Sequence, residues 1–434
     1  MTLITSIETT SEATNRLQNL NDVQRLFDQI LQANKLFINR DLLRTTYIPE
    51  ALPHREKEIT ELISILSKAI NLEAPSNVLL FGLPGIGKTA VIKLVGGELE
   101  KRGKALGKPI NVIFVNCSLT DSVYKILTSI SQQLTNDQAG AMPSSGLPVD
   151  VILSRLITGI DTQKQVIIIV LDEIDRIKDD ATLYTLTRIN EYLNLARVSI
   201  IGISNNLRFT DFLDSRVKSS LGEENMIFDP YDAEQLQDIL SARCQQALAP
   251  NILSNDVIPL CAALAAQEHG DARRALDLLR VSVEIAERKH DCNVTNKHVR
   301  LAQNKIEKDR ISEAIHSLPS QQRLLLHAIR ILQRYNEHMG KEPVMITGEI
   351  YTQYVELSKI VHYKPLTQRR VADFISELDT LGIITARKIS KGRDGQTREI
   401  RVMLPSAELE NILKEDEFME VIGKMKMKNQ TKLL

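Results

Sequence analysis

Five short runs rich in Ile, Val and Phe recur through the first half of the chain: Asn77 to Phe81, Asn111 to Asn116, Gln165 to Leu171, Val198 to Ser204 and Asn225 to Phe228. They are near-continuous in apolar residues rather than alternating, the pattern of parallel strands covered on both faces. Helical stretches lie between them, among them Ser122 to Leu134 and Ala181 to Asn194. The rhythm predicts an α/β fold with a doubly wound parallel sheet. A loop from Asn136 to Pro148 (NDQAGAMPSSGLP) carries helix breakers.

The pattern changes after Tyr231. Asp232 with Gln235 forms a capping-box signature, and Leu236, Ile239, Leu240 and Ala247 keep helical spacing. From there to about Lys308 the chain predicts helices and no strand, a small helical domain. Further helices follow from Ile311, then an Arg- and Gly-rich hairpin at Lys388 to Val402 with GRDG at its tip. Helices followed by a basic hairpin predict a winged helix. The organisation is therefore a tail over 1–33 with a short helix from Asp22 to Leu31, a sheet domain over 34–231, a helical domain over 232–308, a winged helix over 309–405 and an extension over 406–434 that ends frayed.

Composition narrows the class. A chain of 434 residues needs several domains at about 100 to 200 residues each. Its hydrophobic fraction of 43% and charged fraction of 25% exclude a disordered chain or a coiled-coil rod. With no Trp, cores of Leu, Ile, Val and Ala are expected. The formal net charge of -1 means that any binding to a polyanion rests on a local patch. Cys117, Cys244, Cys261 and Cys292 lack zinc-knuckle spacing and fit buried thiols of a reducing compartment. No apolar stretch approaches the roughly 18 to 20 residues of a membrane span, and Met1 to Arg16 does not read as a signal peptide. A soluble, cytoplasmic protein without membrane partners is expected.

The first strand runs into Gly82-Leu83-Pro84-Gly85-Ile86-Gly87-Lys88-Thr89, followed by Ala90 and a helix, which fits the P-loop pattern G-x-x-x-x-G-K-[ST]. Glycines there let backbone N–H groups wrap phosphates, the lysine carries charge to the β and γ phosphates, and the Thr89 hydroxyl ligates Mg²⁺. ATP or ADP with Mg²⁺ is the expected cofactor. Leu171-Asp172-Glu173-Ile174-Asp175 ends the most apolar strand, which aims its acids into the ligand crevice. Asp172 is expected to hold Mg²⁺ through water, and Glu173 to orient and polarise the attacking water. Asp175 and Arg176 read as a surface ion pair. The next strand ends in Ser204-Asn205-Asn206, where the Asn205 amide can hydrogen-bond a γ-phosphate or the water without repelling either.

Thr367-Gln368-Arg369-Arg370 opens a helix whose apolar side is Val371, Phe374, Ile375 and Leu378. The four polar residues sit at its exposed start, where a recognition helix meets base edges and phosphates. The hairpin then carries Arg387, Lys388, Lys391, Arg393, Arg398 and Arg401 against Asp394 and Glu399, enough surplus charge to seek phosphates.

Taken in order, YIPEALPHRE from Tyr47, GLPGIGKT, LDEID, GISNNLRF, SRVKSSLG, FDPYDAEQLQDILSAR and GDARRALDLLR resemble the archaeal origin-recognition/cell-division-cycle initiator family of AAA+ ATPases over about residues 34 to 400. The resemblance implies that Arg216 presents a guanidinium to a nucleotide at a subunit interface, the alternative being a helix-end ion pair. It implies that Arg273 is the lid's sensor arginine, and that Tyr231 and Arg243 contact the nucleotide. Ile48 and Pro49 are implied as adenine-pocket walls with Arg55 near them. A second DNA contact is implied at about Ala139 to Arg155, with Pro148 and Arg155 as candidates. The implied function is an ATP-regulated replication initiator that binds double-stranded origin DNA at the nucleoid, helps recruit and load the MCM helicase, hydrolyses ATP slowly as a switch and associates with copies or paralogues on DNA. A P-loop-gated winged-helix transcriptional regulator and a clamp-loader-like ATPase are the alternatives.

Overall fold

The computed structural model describes residues 36–416 and 418, except 121, 135–145, 178–179, 212, 341, 343 and 391–395. The helix expected at Asp22 to Leu31 lies outside the described residues. The chain divides into two compact units, Met1–Ala302 and Gln303–Leu434.

In the first unit, strands β1 (Val78–Phe81), β2 (Ile110–Asn116), β3 (Val166–Asp172), β4 (Arg197–Ser204) and β5 (Glu224–Ile227) form one sheet in the order β2-β3-β4-β1-β5. All four pairings are parallel. Strand β3 shows why its sequence is unbroken in apolar residues. Val166, Ile168 and Val170 enter a core with α1 (Glu56–Leu66) and α2 (Lys88–Ala105), whereas Ile167, Ile169 and Leu171 enter the opposite core with α3 (Val123–Leu134) and α4 (Val149–Ile160). Neither face meets water, so period-two alternation has nothing to separate. Because β3, β4 and β1 are neighbours, Asp172, Ser204 and Phe81 finish at one edge, in register Asp172↔Ile203 and Phe81↔Ser204.

The helix expected over Ala181 to Asn194 is shorter. It runs as α5 (Asp180–Thr187) and then a separate 3-10 turn at Ile189–Tyr192. Asn190 causes the break: its amide donates to Val198 O at 2.7 Å and accepts from Val198 N at 2.8 Å, pinning the chain to the start of β4. A short α6 (Ser215–Leu221) precedes β5.

Helices α7 (Ala233–Ala247), α8 (Val257–Gln267) and α9 (Ala272–Arg288) form the lid. The capping box opens α7, with Gln235 N donating to Asp232 Oδ1 at 2.8 Å and Asp232 N to Gln235 Oε1 at 3.2 Å. The segment before α1 is sewn to the lid: Ile38 N and Asn39 N donate to Ala247 O, and Leu36 N donates to Glu287 Oε1 at 3.0 Å. The division between the units falls within α10 (Asn296–Ser317).

The second unit packs α11 (Ser320–His338), α12 (Thr347–Ile360) and α13 (Gln368–Thr380) against a sheet ordered β6-β8-β7. Strands β7 (Ile384–Ser390) and β8 (Gln396–Val402) are the expected hairpin. The two-residue β6 (Met345–Ile346) gives no pattern of its own and exists because it pairs with Glu399 and Ile400. In the stretch after Ser406, α14 (Ser406–Ile412) forms, and Leu409, Leu413 and Phe418 are buried in the core of this unit; the end expected to fray lies outside the described residues. Among the described residues no helix is long and apolar enough to cross a membrane.

Candidate nucleotide site and nucleic-acid face

The loop between β1 and α2 has three glycines at positive φ: Gly82 at 149°, Gly85 at 75° and Gly87 at 95°. Side chains there would be strained and would collide. A Cβ at Gly87 would lie 2.9 Å from the Tyr231 hydroxyl, and one at Gly85 would overlap the Asp271 carboxylate. The turn thus needs glycine for conformation and for close approach.

Lys88, 5% exposed, donates from Nζ to Gly82 O at 2.8 Å, Leu83 O at 2.7 Å and Asn205 Oδ1 at 2.9 Å. Burial pulls its pKa down to about 8, although Asp172 opposes the shift. Thr89 Oγ1 donates to Asp172 Oδ2 at 3.1 Å, and Glu173 N donates to Asp172 Oδ1 at 3.0 Å. Glu173 sits at φ 54°, a left-handed conformation uncommon for a non-glycine residue, and its Oε2 accepts from the Ser118 hydroxyl. Its backbone strain places the carboxylate at the sheet edge instead of continuing β3.

Lys88, Thr89, Asp172, Glu173 and Asn205 share a cavity of about 1100 Å³ with Ile48, Pro49, Pro84, Gly85, Gly87, Ala90, Tyr231, Arg243 and Arg273. Gly82 and Ile86 do not line it: Ile86 is fully buried in the core and Gly82 packs against Ile86 and Phe228. Nor does Arg216, which is exposed, makes a two-point ion pair with Asp214 at 3.2 and 3.1 Å and lies 5.1 Å from the Tyr184 ring centroid. Arg243 donates to Leu42 O at 3.1 Å and Tyr47 O at 3.3 Å, so it also anchors the segment that carries Ile48 and Pro49. Burial lowers its pKa.

The surface ion pair expected of Asp175 and Arg176 does not form. Asp175 is no surface partner of Arg176: its Oδ1 accepts from Ser204 Oγ at 3.1 Å and Asn205 N at 3.2 Å, while Arg176 Nε lies 3.7 Å from Glu173 Oε2. The turn after β3 carries the Asp175 carboxylate to the neighbouring β4, where it fixes Asn205. Sequence reasoning also missed Ser118 and Asp271. The second had a signal: an Asp opening D-A-R-R is a helix N-cap, and its side chain accepts from Arg273 N at 2.7 Å. The next residue, Ala272, donates its N–H to Gly85 O at 3.1 Å, tying the start of α9 to the phosphate loop.

The site fits a nucleoside polyphosphate: a glycine cradle, a buried ammonium and a hydroxyl–carboxylate pair. Among the described residues no group of three or more His, Cys, Asp or Glu side chains is arranged to hold a metal alone. A divalent ion would use Thr89 and Asp172 and take its other ligands from phosphate and water.

In the second unit Thr367 N-caps α13, and Thr367, Gln368, Arg369 and Arg370 are all exposed above the buried Val371, Phe374, Ile375 and Leu378. Lys388 is exposed on β7. Arg398 turns back to α13, donating to Ser376 Oγ at 2.6 Å and Ala372 O at 3.4 Å. Lys391 and Arg393 lie outside the described residues, as does 139–145 of the insertion; Pro148 and Arg155 are exposed at the start and middle of α4.

A P-loop sheet with a helical lid, followed by a winged helix, defines an AAA+ ATPase joined to a nucleic-acid-binding type of module. Three family descriptions match in that order: AAA domain at residues 72–209, Cdc6 AAA+ ATPase-type lid domain at 237–304 and CDC6 C-terminal winged helix domain at 313–412. The chain is 45% identical to the ORC1-type DNA replication protein of Pyrococcus furiosus over 95% of this chain and 98% of that protein. It is 48% identical to the ORC1-type DNA replication protein 1 of Methanosarcina mazei over 90% and 93%. It belongs to the archaeal origin-recognition/Cdc6 family of replication initiators. The solved Aeropyrum pernix ORC1 protein in complex with DNA shares 44% identity and a TM-score of 0.77, covering 90% of this chain and 99% of that one. Pyrobaculum aerophilum Cdc6p, at 22% identity, TM-score 0.56 and coverage of 88% and 99%, shares the fold.

Proposed function

We propose that this chain is an ATP-regulated replication initiator that binds origin duplex DNA, helps recruit and load the MCM helicase, and uses slow ATP hydrolysis as a switch. The observation that carries the reading is the meeting of Lys88, Thr89, Asp172, Glu173 and Asn205 in one pocket beneath Arg273 of the lid, in a chain that also presents an exposed Thr367–Arg370 helix start.

Lys88 and the loop N–H groups bind the β and γ phosphates. Thr89, and Asp172 through water, would hold Mg²⁺, which would neutralise charge on the phosphoryl oxygens. Glu173 orients and polarises the attacking water, and Asn205, fixed by Asp175, hydrogen-bonds the γ-phosphate or that water. Arg273 faces the same nucleotide from the lid. Arg216 stands outside the pocket and serves the nucleotide of a neighbouring copy or paralogue on DNA, the role its exposure supports. Ile48, Pro49, Tyr231 and Arg243 hold the base end. Thr367, Gln368, Arg369 and Arg370 read duplex DNA, with Lys388, Lys391 and Arg393 on phosphates; that the Aeropyrum pernix relative was solved in complex with DNA supports DNA binding as such.

The test is retention of MCM on immobilised origin duplex with ATP, ADP or no nucleotide. Retention that depends on the nucleotide state and disappears with Lys88→Ala is expected; retention indifferent to both would refute the switch.

A further inference from the structure

Arg55, in the loop leading into α1, is 3% exposed, and the reaction scheme above gives it no role. Its three guanidinium nitrogens reach three separate elements. Nε donates to Ile86 O in the phosphate loop at 3.1 Å, Nη2 to Asp229 O just after β5 at 2.6 Å, and Nη1 to Glu58 Oε1 on α1 at 2.9 Å. The guanidinium carbon lies 3.9 Å from the centroid of the Tyr231 ring. Tyr231 in turn leads into the lid, since Asp232 is the N-cap of α7.

We infer that Arg55 is a positioning residue of the nucleotide site, orienting the Ile86–Gly87 peptide toward phosphate and locking the phosphate loop to the hinge of the lid. In a trans peptide the C=O and N–H point in opposite directions. With Ile86 O held by Arg55, the N–H of Gly87 faces away from the guanidinium, and Gly87 lines the cavity. The same guanidinium fixes Asp229 and stacks on Tyr231, whose hydroxyl stands close to Gly87. Phosphate bound at the loop and the angle at which the lid begins are thereby set by one side chain. Lysine cannot replace it, because a single ammonium on a flexible stem lacks a planar fork that meets three acceptors while stacking on an aromatic face.

This inference rests on the nucleotide-binding reading of the site. Its test is titration of the full chain with fluorescent ATP and ADP analogues, alongside turnover at saturating ATP and thermal unfolding, for Arg55→Lys. The control is Leu66→Ala, a buried change on α1 outside the cavity. Arg55→Lys should weaken ATP and ADP alike by tenfold or more, with turnover at saturation falling less than affinity. Leu66→Ala should lose thermal stability and keep parental affinity. Affinities for Arg55→Lys within twofold of the parent, or loss of affinity in Leu66→Ala in step with its stability, would overturn the role. Where Arg55→Lys does not fold, Glu58→Gln carries the test, since it leaves the guanidinium without its ionic anchor: a threefold or greater loss for both nucleotides is expected, and parental affinity overturns the role. A parental chain that binds neither nucleotide would instead refute the nucleotide reading on which the inference stands.

Discussion

Lys88 Nζ donates to Asn205 Oδ1 at 2.9 Å, joining the loop after β1 to the end of β4. The bond exists because β1 and β4 are neighbours in the sheet, and it brings two motifs 117 residues apart onto one ligand site. It also lets the buried ammonium rest on neutral acceptors, which suits a group whose charge is needed only when phosphate arrives.

The lowered pKa of Lys88, about 8, sets a pH dependence for nucleotide affinity. Phosphate binds the protonated amine, and the free protein loses that proton as pH rises through about 8. ATP affinity should hold below pH 7.5 and fall by about tenfold for each pH unit well above 8. Calorimetric titration from pH 7 to 9.5 checks this. A flat profile would show that Lys88 is not the titrating contact.

Glu173→Gln should bind ATP as the parent does and lose turnover by about 10²-fold or more, because the amide cannot polarise water. Lys88→Ala should lose both ATP and ADP. Parental hydrolysis in Glu173→Gln would remove the residue from the chemistry. Turnover of the parent itself should be slow, as a switch requires.

Arg216 and Arg273 should separate in mixing experiments on DNA. A chain carrying Arg216→Ala, mixed with one carrying Lys88→Ala, should regain hydrolysis, since each supplies what the other lacks. Arg273→Ala in place of Arg216→Ala should give no rescue, because its site is in the same chain's pocket. Equal rescue by both would contradict the assignment of one arginine to a neighbour and the other to its own nucleotide.

The basic residues of the recognition helix and wing should divide by function. Lys388→Ala should weaken binding to every duplex alike and lower the salt slope by roughly one unit. Arg369→Ala or Arg370→Ala should cost selectivity for origin DNA by about 1 to 3 kcal/mol when base edges are involved. Arg398→Ala, which loses its bonds to Ser376 and Ala372, should instead destabilise the wing against α13 by about 1 to 2 kcal/mol. Salt titrations on origin and random duplexes, with thermal unfolding, distinguish the three outcomes.

His327 gives the second unit an acid limit. It is fully buried, and burial, reinforced by Arg330 and opposed by Asp416 at 3.4 Å, holds its pKa down to about 4 from 6.5. Between these values the unfolded chain binds a proton that the folded one refuses. Stability should therefore fall as pH drops from about 6.5 to about 4 and be independent of this group above that window. His327→Gln should flatten the fall in thermal midpoint; an unchanged slope would show that another group governs it.

The strands were legible because both faces of β3 are buried, and the phosphate loop because its glycines, Lys88 and Thr89 are a short contiguous pattern. The contacts of Arg55, Asp175 and Ser118 were not, since their partners Asp229, Asn205 and Glu173 lie on other elements and become neighbours only once the sheet forms. β6 and the buried Phe418 were hidden for the same reason: neither has local periodicity, and each is ordered by long-range packing. Asn190 ended a helix through a bond to a strand that the helical pattern did not contain.

Genome-wide mapping of the DNA bound by this chain in cells that carry it, read against replication start sites, tests the initiator role at its target. Few narrow peaks that coincide with start sites and vanish with a double Arg369→Ala, Arg370→Ala change are expected. Peaks scattered over promoters, with none at a start site, would contradict that role and assign the chain to transcriptional regulation.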